Sequence, residues 1–181
     1  YCANSSSGLT SLFVVFVEIY FDPFMTIIDV GCGHGRDSFF FARHGFRVIG
    51  LDASEMATET ASAFDDAHPS GQLQFRQYDL NDDRLEKSIT DCAGALCIYA
   101  RFFLHAIDDH EEEQLLRVLS SACRPGDLLA VEYRTEMDID TDKQAAPHFR
   151  RFIKPEHFEE RAALAGCVKR YGIAGRGCAK Y

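Results

Sequence analysis

The stretch Asp29-Val30-Gly31-Cys32-Gly33-His34-Gly35-Arg36 carries the clearest chemical signal in the chain. Glycines at alternate positions let a backbone turn sharply and approach a ligand closely, because no Cβ stands in the way. A second carboxylate, Asp52, follows about 20 positions beyond Gly31, the spacing at which an acidic side chain reaches both hydroxyls of a ribose. Nucleoside binding is therefore the chemistry to expect. Dinucleotide enzymes use G-x-G-x-x-G, whose third glycine would fall at position 36, where this chain has Arg36. The pattern is instead D-x-G-x-G-x-G, with Asp29 two positions ahead of the first glycine.

The elements that must hold these residues are legible as alternating strands and helices. Residues 26–30 (TIIDV) read as a first strand, and a helix from Arg36 to about His44 is stopped by Gly45. Residues 47–51 form a second strand ending at Asp52. Ser54 then caps a helix that runs to about Ala67, with Glu55 in its first turn. Residues 73–78 give a third strand that stops at Asp79, and residues 93–99 a fourth, buried one. Asp108, with Glu111 three positions on, caps a helix carrying Leu115, Leu116, Leu119 and Ala122 at helical spacing. Residues 128–133 form a fifth strand, the polar stretch 135–146 a loop, and Pro155 to Gly166 a last helix. Residues 168–171 and 178–181 read as a terminal antiparallel hairpin.

This alternation predicts an α/β fold: a Rossmann-like three-layer sandwich with a seven-stranded, mostly parallel sheet and the terminal hairpin. The expected organisation is one domain over residues 1–181, with a helical segment at 1–24 and a cofactor-binding core at 25–181. The abrupt start and the end within a strand-like stretch suggest a longer natural polypeptide. In such sheets ligands bind beyond the carboxyl ends of the strands, at the switch point.

The run IIDVGCGHGRDSFFFARHGFRVIGLDAS resembles motif I and the following acidic strand end of class I, Rossmann-like, S-adenosylmethionine-dependent methyltransferases. The resemblance implies S-adenosyl-L-methionine as cofactor. It sets Gly31, Cys32 and Gly33 beneath the methionine part, Asp52 at the ribose and Asp79, followed by Leu80, near the adenine, with Asp29 and Ala53 among the cofactor-binding residues. It also places Tyr99, Ala100 and Arg101 along the cofactor next to the substrate. The phrases RDSFFFARHG and YARFFLHAID further resemble bacterial-type small-molecule and cell-surface-glycan methyltransferases. Read singly, these residues have plainer roles. Cys32 satisfies a demand for a small side chain, His34 is a solvated loop residue, and Asp52 or Asp79 alone would be a capping or turn carboxylate.

For the acceptor, Arg101 and His105 lie one helical turn apart after the fourth strand, and Arg134 follows the fifth. His148, Arg150 and Arg151 precede the last helix. The functional reading is a pocket for a carboxylate- or phosphate-bearing acceptor, with Arg101 and Arg134 as anion holders and His105 as general base. The plainer reading makes Arg150 and Arg151 surface residues and Glu132–Arg134 a scaffold pair. Two alternatives stand beside methyl transfer: a nicotinamide-dependent oxidoreductase and a non-catalytic, methyltransferase-like partner subunit.

Composition sets the outer bounds. The 181 residues, 46% hydrophobic and 26% charged, suit one globular domain. A formal net charge of -9 disfavours nucleic acid as partner and leaves a small-molecule acceptor. The seven cysteines include no C-x-x-C pair, which points to reduced thiols and no metal site. The apolar stretch 9–25 carries Glu18, Asp22 and Pro23, is too short to span a bilayer and lacks the marks of a signal peptide. A soluble, cytoplasmic protein with no membrane partner is the expectation.

Overall fold

A computed structural model describes residues 11–67, 72–80, 83–138 and 151–175. Its centre is a parallel sheet of five strands: β1 (Thr26–Val30), β2 (Arg47–Asp52), β3 (Leu73–Gln77), β4 (Leu96–Arg101) and β5 (Leu128–Glu132). Their order is β3-β2-β1-β4-β5. Every residue of β1 is buried, as a central strand covered on both faces requires.

Successive side chains along the strands divide between two cores. Ile27, Val48, Cys97 and Tyr99 pack with Val14 and Val17 of α1 (Leu12–Glu18) and with Phe41 of α2 (Arg36–Arg43). Ile28, Ile49, Leu51 and Ile98 face the other way. There they meet α4 (Arg84–Thr90), α5 (Asp109–Ala122) and α6 (Pro155–Leu164) through Leu85, Leu115 and Phe158. Between β2 and β3 runs α3 (Glu55–Ala67). The α5 capping box forms as expected, with Asp108 and Glu111 each accepting the other's backbone N–H at 2.8 Å.

Two features depart from expectation. The described sheet has five strands, not seven. Residues 168–171 form no strand, being exposed beyond α6, and the other half of the expected hairpin, 178–181, lies outside the described residues. The short helix α4 was also unforeseen. Its buried Leu85, Ser88 and Ile89 hold helical spacing, but the flanking DDR and TD are too polar to mark it as an element. Among the described residues no helix is long and apolar enough to cross a membrane.

The register brings the chemistry to one edge. Asp29 pairs across with Gly50 and Tyr99, Asp52 with Gln77, and Arg101 with Glu132. The strand order reverses between β1 and β4, so their carboxyl ends open the cleft predicted for this topology.

Candidate active site at the carboxyl edge of the sheet

The turn between β1 and α2 is fastened to the end of β2. Gly31 and Cys32 donate their backbone N–H groups to the Leu51 carbonyl at 2.7 and 3.1 Å. Gly31, Gly33 and Gly35 all have positive φ, at 74°, 54° and 74°, which side-chain-bearing residues rarely adopt. Asp52 closes the arrangement: one carboxylate oxygen accepts from Gly33 N–H at 2.8 Å, the other from Ser54 N–H at 2.9 Å. It thus ties the first strand–helix turn to the second. Each oxygen still has a lone pair for a further donor.

Below the turn, Asp29 is buried and accepts from the Ser38 hydroxyl of α2 at 2.6 Å. Burial, reinforced by the carboxylates of Asp37 and Asp52, pushes its pKa from 3.8 up to about 7. The sign of the consequence follows by linkage. Below pH 3.8 the carboxyl is protonated whether the chain is folded or not, and its contribution to stability is complete. As pH climbs toward 7 only the unfolded chain has given up the proton, so that contribution is lost. Asp29→Asn, whose amide oxygen can still accept from Ser38, should abolish this loss. The melting temperature of the variant relative to wild type should rise steadily between pH 4 and 7; an offset that stays constant over that range would show that the carboxyl ionises normally.

A second network crosses from α2 to β5. Tyr99 donates its hydroxyl to Asp37 at 2.8 Å, and Arg101 Nε donates to Glu132 at 2.6 Å while its Nη1 stands 3.6 Å from Asp37. Burial, then the Asp37 carboxylate, push Glu132 up to about 7, against the direct bond from Arg101, which favours the ionised form. Asp29, Gly31, Cys32, His34, Arg36, Asp37 and Arg101 line an open cavity of about 360 Å³. Next to Arg101 in the chain, Phe102 adopts φ 57°, the one positive-φ residue other than glycine among the described residues. The Arg101 and Arg134 guanidinium carbons lie 4.4 and 5.2 Å from the centre of its ring.

The other residues singled out from the sequence fall differently. Tyr99 and Ala100 are both fully buried. The Tyr99 ring packs 5.4 Å from Phe13 and 5.1 Å from Phe41, and only its hydroxyl reaches the site, through Asp37. Inward projection from a central strand explains this. Leu80 is buried, Asp79 is exposed, and Ala53 is exposed with its carbonyl accepting from Gln77 at 3.2 Å.

His105 is enclosed as well, at 5% exposure, where a general base open to the cleft was expected. Its Nδ1 accepts the Arg134 backbone N–H at 3.3 Å, which sets the neutral ring's proton on Nε2. Arg134 also reaches Asp138 at 3.4 Å. Arg151 bonds Glu112, Asp109 and the Leu104 carbonyl, so it clamps the segment before α6 and holds no open charge for a ligand. His148 and Arg150 lie outside the described residues. Asp37 and Ser38 were missed. They had a weak signal as polar residues in the first turn after the glycines.

A family model described as "Methyltransferase domain" matches residues 10–175. The chain belongs to that family. It is 28% identical over 118 residues to glycine N-methyltransferase of Oryctolagus cuniculus, an alignment covering 60% of this chain and 40% of that protein. It is 29% identical over 126 residues to thiopurine S-methyltransferase of Pseudomonas fluorescens, covering 65% of this chain and 56% of that one. The chain therefore spans about half the length of these relatives. A solved S-adenosylmethionine-dependent methyltransferase from Anabaena variabilis superposes with a TM-score of 0.66 at 24% identity, over 83% of this chain and 68% of that one. Membership makes S-adenosylmethionine the cofactor and disposes of the nicotinamide alternative, against which Arg36 already stood.

Proposed function

We propose that this domain transfers a methyl group from S-adenosylmethionine to a small-molecule acceptor at the carboxyl edge of β1 and β4. The observation that carries the reading is the glycine turn pinned to Asp52. The turn's open side fits a cofactor: a Cβ built on Gly33 meets nothing within 4 Å, so a ligand can lie against the backbone there. Asp52, already oriented by two backbone donors, would hold the ribose, and Asp29 with Gly31, Cys32 and Gly33 would cradle the methionine part. Ala53, Asp79 and Leu80 would flank the remainder.

When bound, the cofactor supplies an electrophilic methyl on a sulfonium. The chain's own share is binding, orientation and electrostatics. Arg101, held at once by Glu132 and Asp37, stands between the cofactor turn and the acceptor edge. An acceptor carboxylate or phosphate would share Arg101 with those acids and Arg134 with Asp138, so its charge is read through an exchange of partners. His105 orients the Arg134 backbone and serves as a positioning residue.

The test is calorimetry with S-adenosylhomocysteine. Asp52→Ala should weaken binding by roughly 1.5–3 kcal/mol, the worth of hydrogen bonds to a charged group. Unchanged affinity would remove Asp52 from the site. A screen of phosphorylated sugars, organic acids and small amines with radiolabelled cofactor then identifies the acceptor. Firm cofactor binding with no acceptor turned over would favour the non-catalytic partner subunit.

A further inference from the structure

Three glycines around the cofactor turn face phenylalanine rings at distances that leave no room for a side chain. A Cβ built on Gly31 overlaps the Phe103 ring, with Phe103 Cγ at 3.1 Å and Cβ at 3.2 Å. On Gly35 it would stand 2.5 Å from Phe75 Cζ, and on Gly50 2.5 Å from Phe75 Cδ1. Gly31 and Gly35 also need their positive φ, but Gly50 lies within β2 with no such conformation. Glycine inside a strand weakens it and marks a close approach. At Gly50 the approaching group is Phe75.

The two rings come from opposite sides of the sheet. Phe103 packs against the core beneath α4 and α5, and Phe75 against the core beneath α2, where it meets Phe39 at 5.5 Å between ring centres. Phe103 also belongs to the segment that carries Arg101 and Phe102. Packing thereby joins the acceptor edge to the first glycine of the cofactor turn.

We propose that Phe75 and Phe103 are positioning residues, a pair of aromatic buttresses that hold the glycine turn in its cofactor-binding shape. The proposal rests on the assignment of that turn to the cofactor. Backbone hydrogen bonds to Leu51 and Asp52 fix the turn on its β2 side. The rings add side-chain contacts at its two ends: Gly31, where β1 stops, and Gly35, where α2 starts. Removing a ring lets the turn relax among the conformations open to glycine, and a ligand must then order it on binding.

Gly31→Ala, Phe103→Ala, the double variant and Phe103→Leu test the contact, each followed by S-adenosylhomocysteine calorimetry and by thermal unfolding. Phe103→Ala should weaken binding about tenfold, the scale of coupling between residues in contact, while Phe103→Leu recovers most of the loss. Gly31→Ala should lower both affinity and melting temperature. The double variant should exceed Gly31→Ala in both, because the second substitution clears the space that the new methyl needs. Phe75→Leu with Gly50→Ala should show the same non-additivity.

A Phe103→Ala protein that melts lower yet binds S-adenosylhomocysteine like wild type would reduce the ring to ordinary core packing and overturn the proposal. So would a double variant no better than Gly31→Ala. Wild-type protein that fails to bind S-adenosylhomocysteine is a different result: it would overturn the cofactor reading, and the role of the rings with it. The melting temperatures would still show whether the Gly31–Phe103 contact exists.

Discussion

Glu112→Ala should lower the melting temperature by on the order of 10 °C, measured by circular dichroism. Glu112 projects from α5 into the core with no exposed surface, and both its neighbours are guanidiniums: Arg151 from the segment before α6 and Arg161 from α6 itself. Removing the shared carboxylate leaves two partly buried cations facing each other. Breaking a buried pair in this way destabilises by about 3–5 kcal/mol, because the abandoned charge is neither solvated nor paired. Asp109 relieves part of this, since it also contacts Arg151, but it is itself largely exposed. Replacing all three members by apolar residues of similar volume should cost much less than the single change. A melting temperature within about 2 °C of wild type in Glu112→Ala would mean that water already screens the cluster.

That cluster also shows where reading the sequence stopped. Arg151 was visible in the sequence as a basic residue just before the last helix. What the sequence does not display is the partner: Glu112 lies 39 positions away, in the middle of an ordinary acidic helix turn. Whether a charge is offered to a ligand or consumed by a neighbour depends on the tertiary contact. The same holds for His105, whose spacing from Arg101 suggested a shared open face but whose ring turns inward to the Arg134 backbone. Tyr99 lies in the carboxyl half of β4, and strand parity sends its ring to the core.

The strand–helix alternation was legible because each element carries its own signal: a β-branched run, a cap, a glycine stop. The turn from Asp29 to Gly35 and the carboxylate of Asp52 were legible for a related reason, since glycine and a strand-terminal carboxylate are local requirements written at fixed spacing; the bond that joins them was not. Phe75 and Phe103 have no such mark. A phenylalanine in an apolar stretch looks the same whether it fills a core or braces a turn, and only the glycines opposite reveal the difference.

Gly33 gives the sharpest separation of fold from ligand. At φ 54° a substituted residue carries left-handed strain of roughly 1–2 kcal/mol, but its Cβ would enter space that no protein atom within 4 Å occupies. Gly33→Ala should therefore fold with a modest loss of stability, and Gly33→Val with a larger one, because branching at Cβ suits this region poorly. Ligand affinity should fall much further. A valine side chain would stand where the cofactor is proposed to lie on the backbone, and overpacking by about 3 kcal/mol is about a hundredfold in S-adenosylhomocysteine affinity. Gly126→Ala supplies the control. Gly126 also has positive φ, at 102°, and open space around its built Cβ, but it lies in the turn before β5, at the opposite end of the sheet. It should lose stability and keep wild-type affinity. A folded Gly33→Val protein that binds S-adenosylhomocysteine as tightly as Gly126→Ala would exclude this turn as the cofactor cradle.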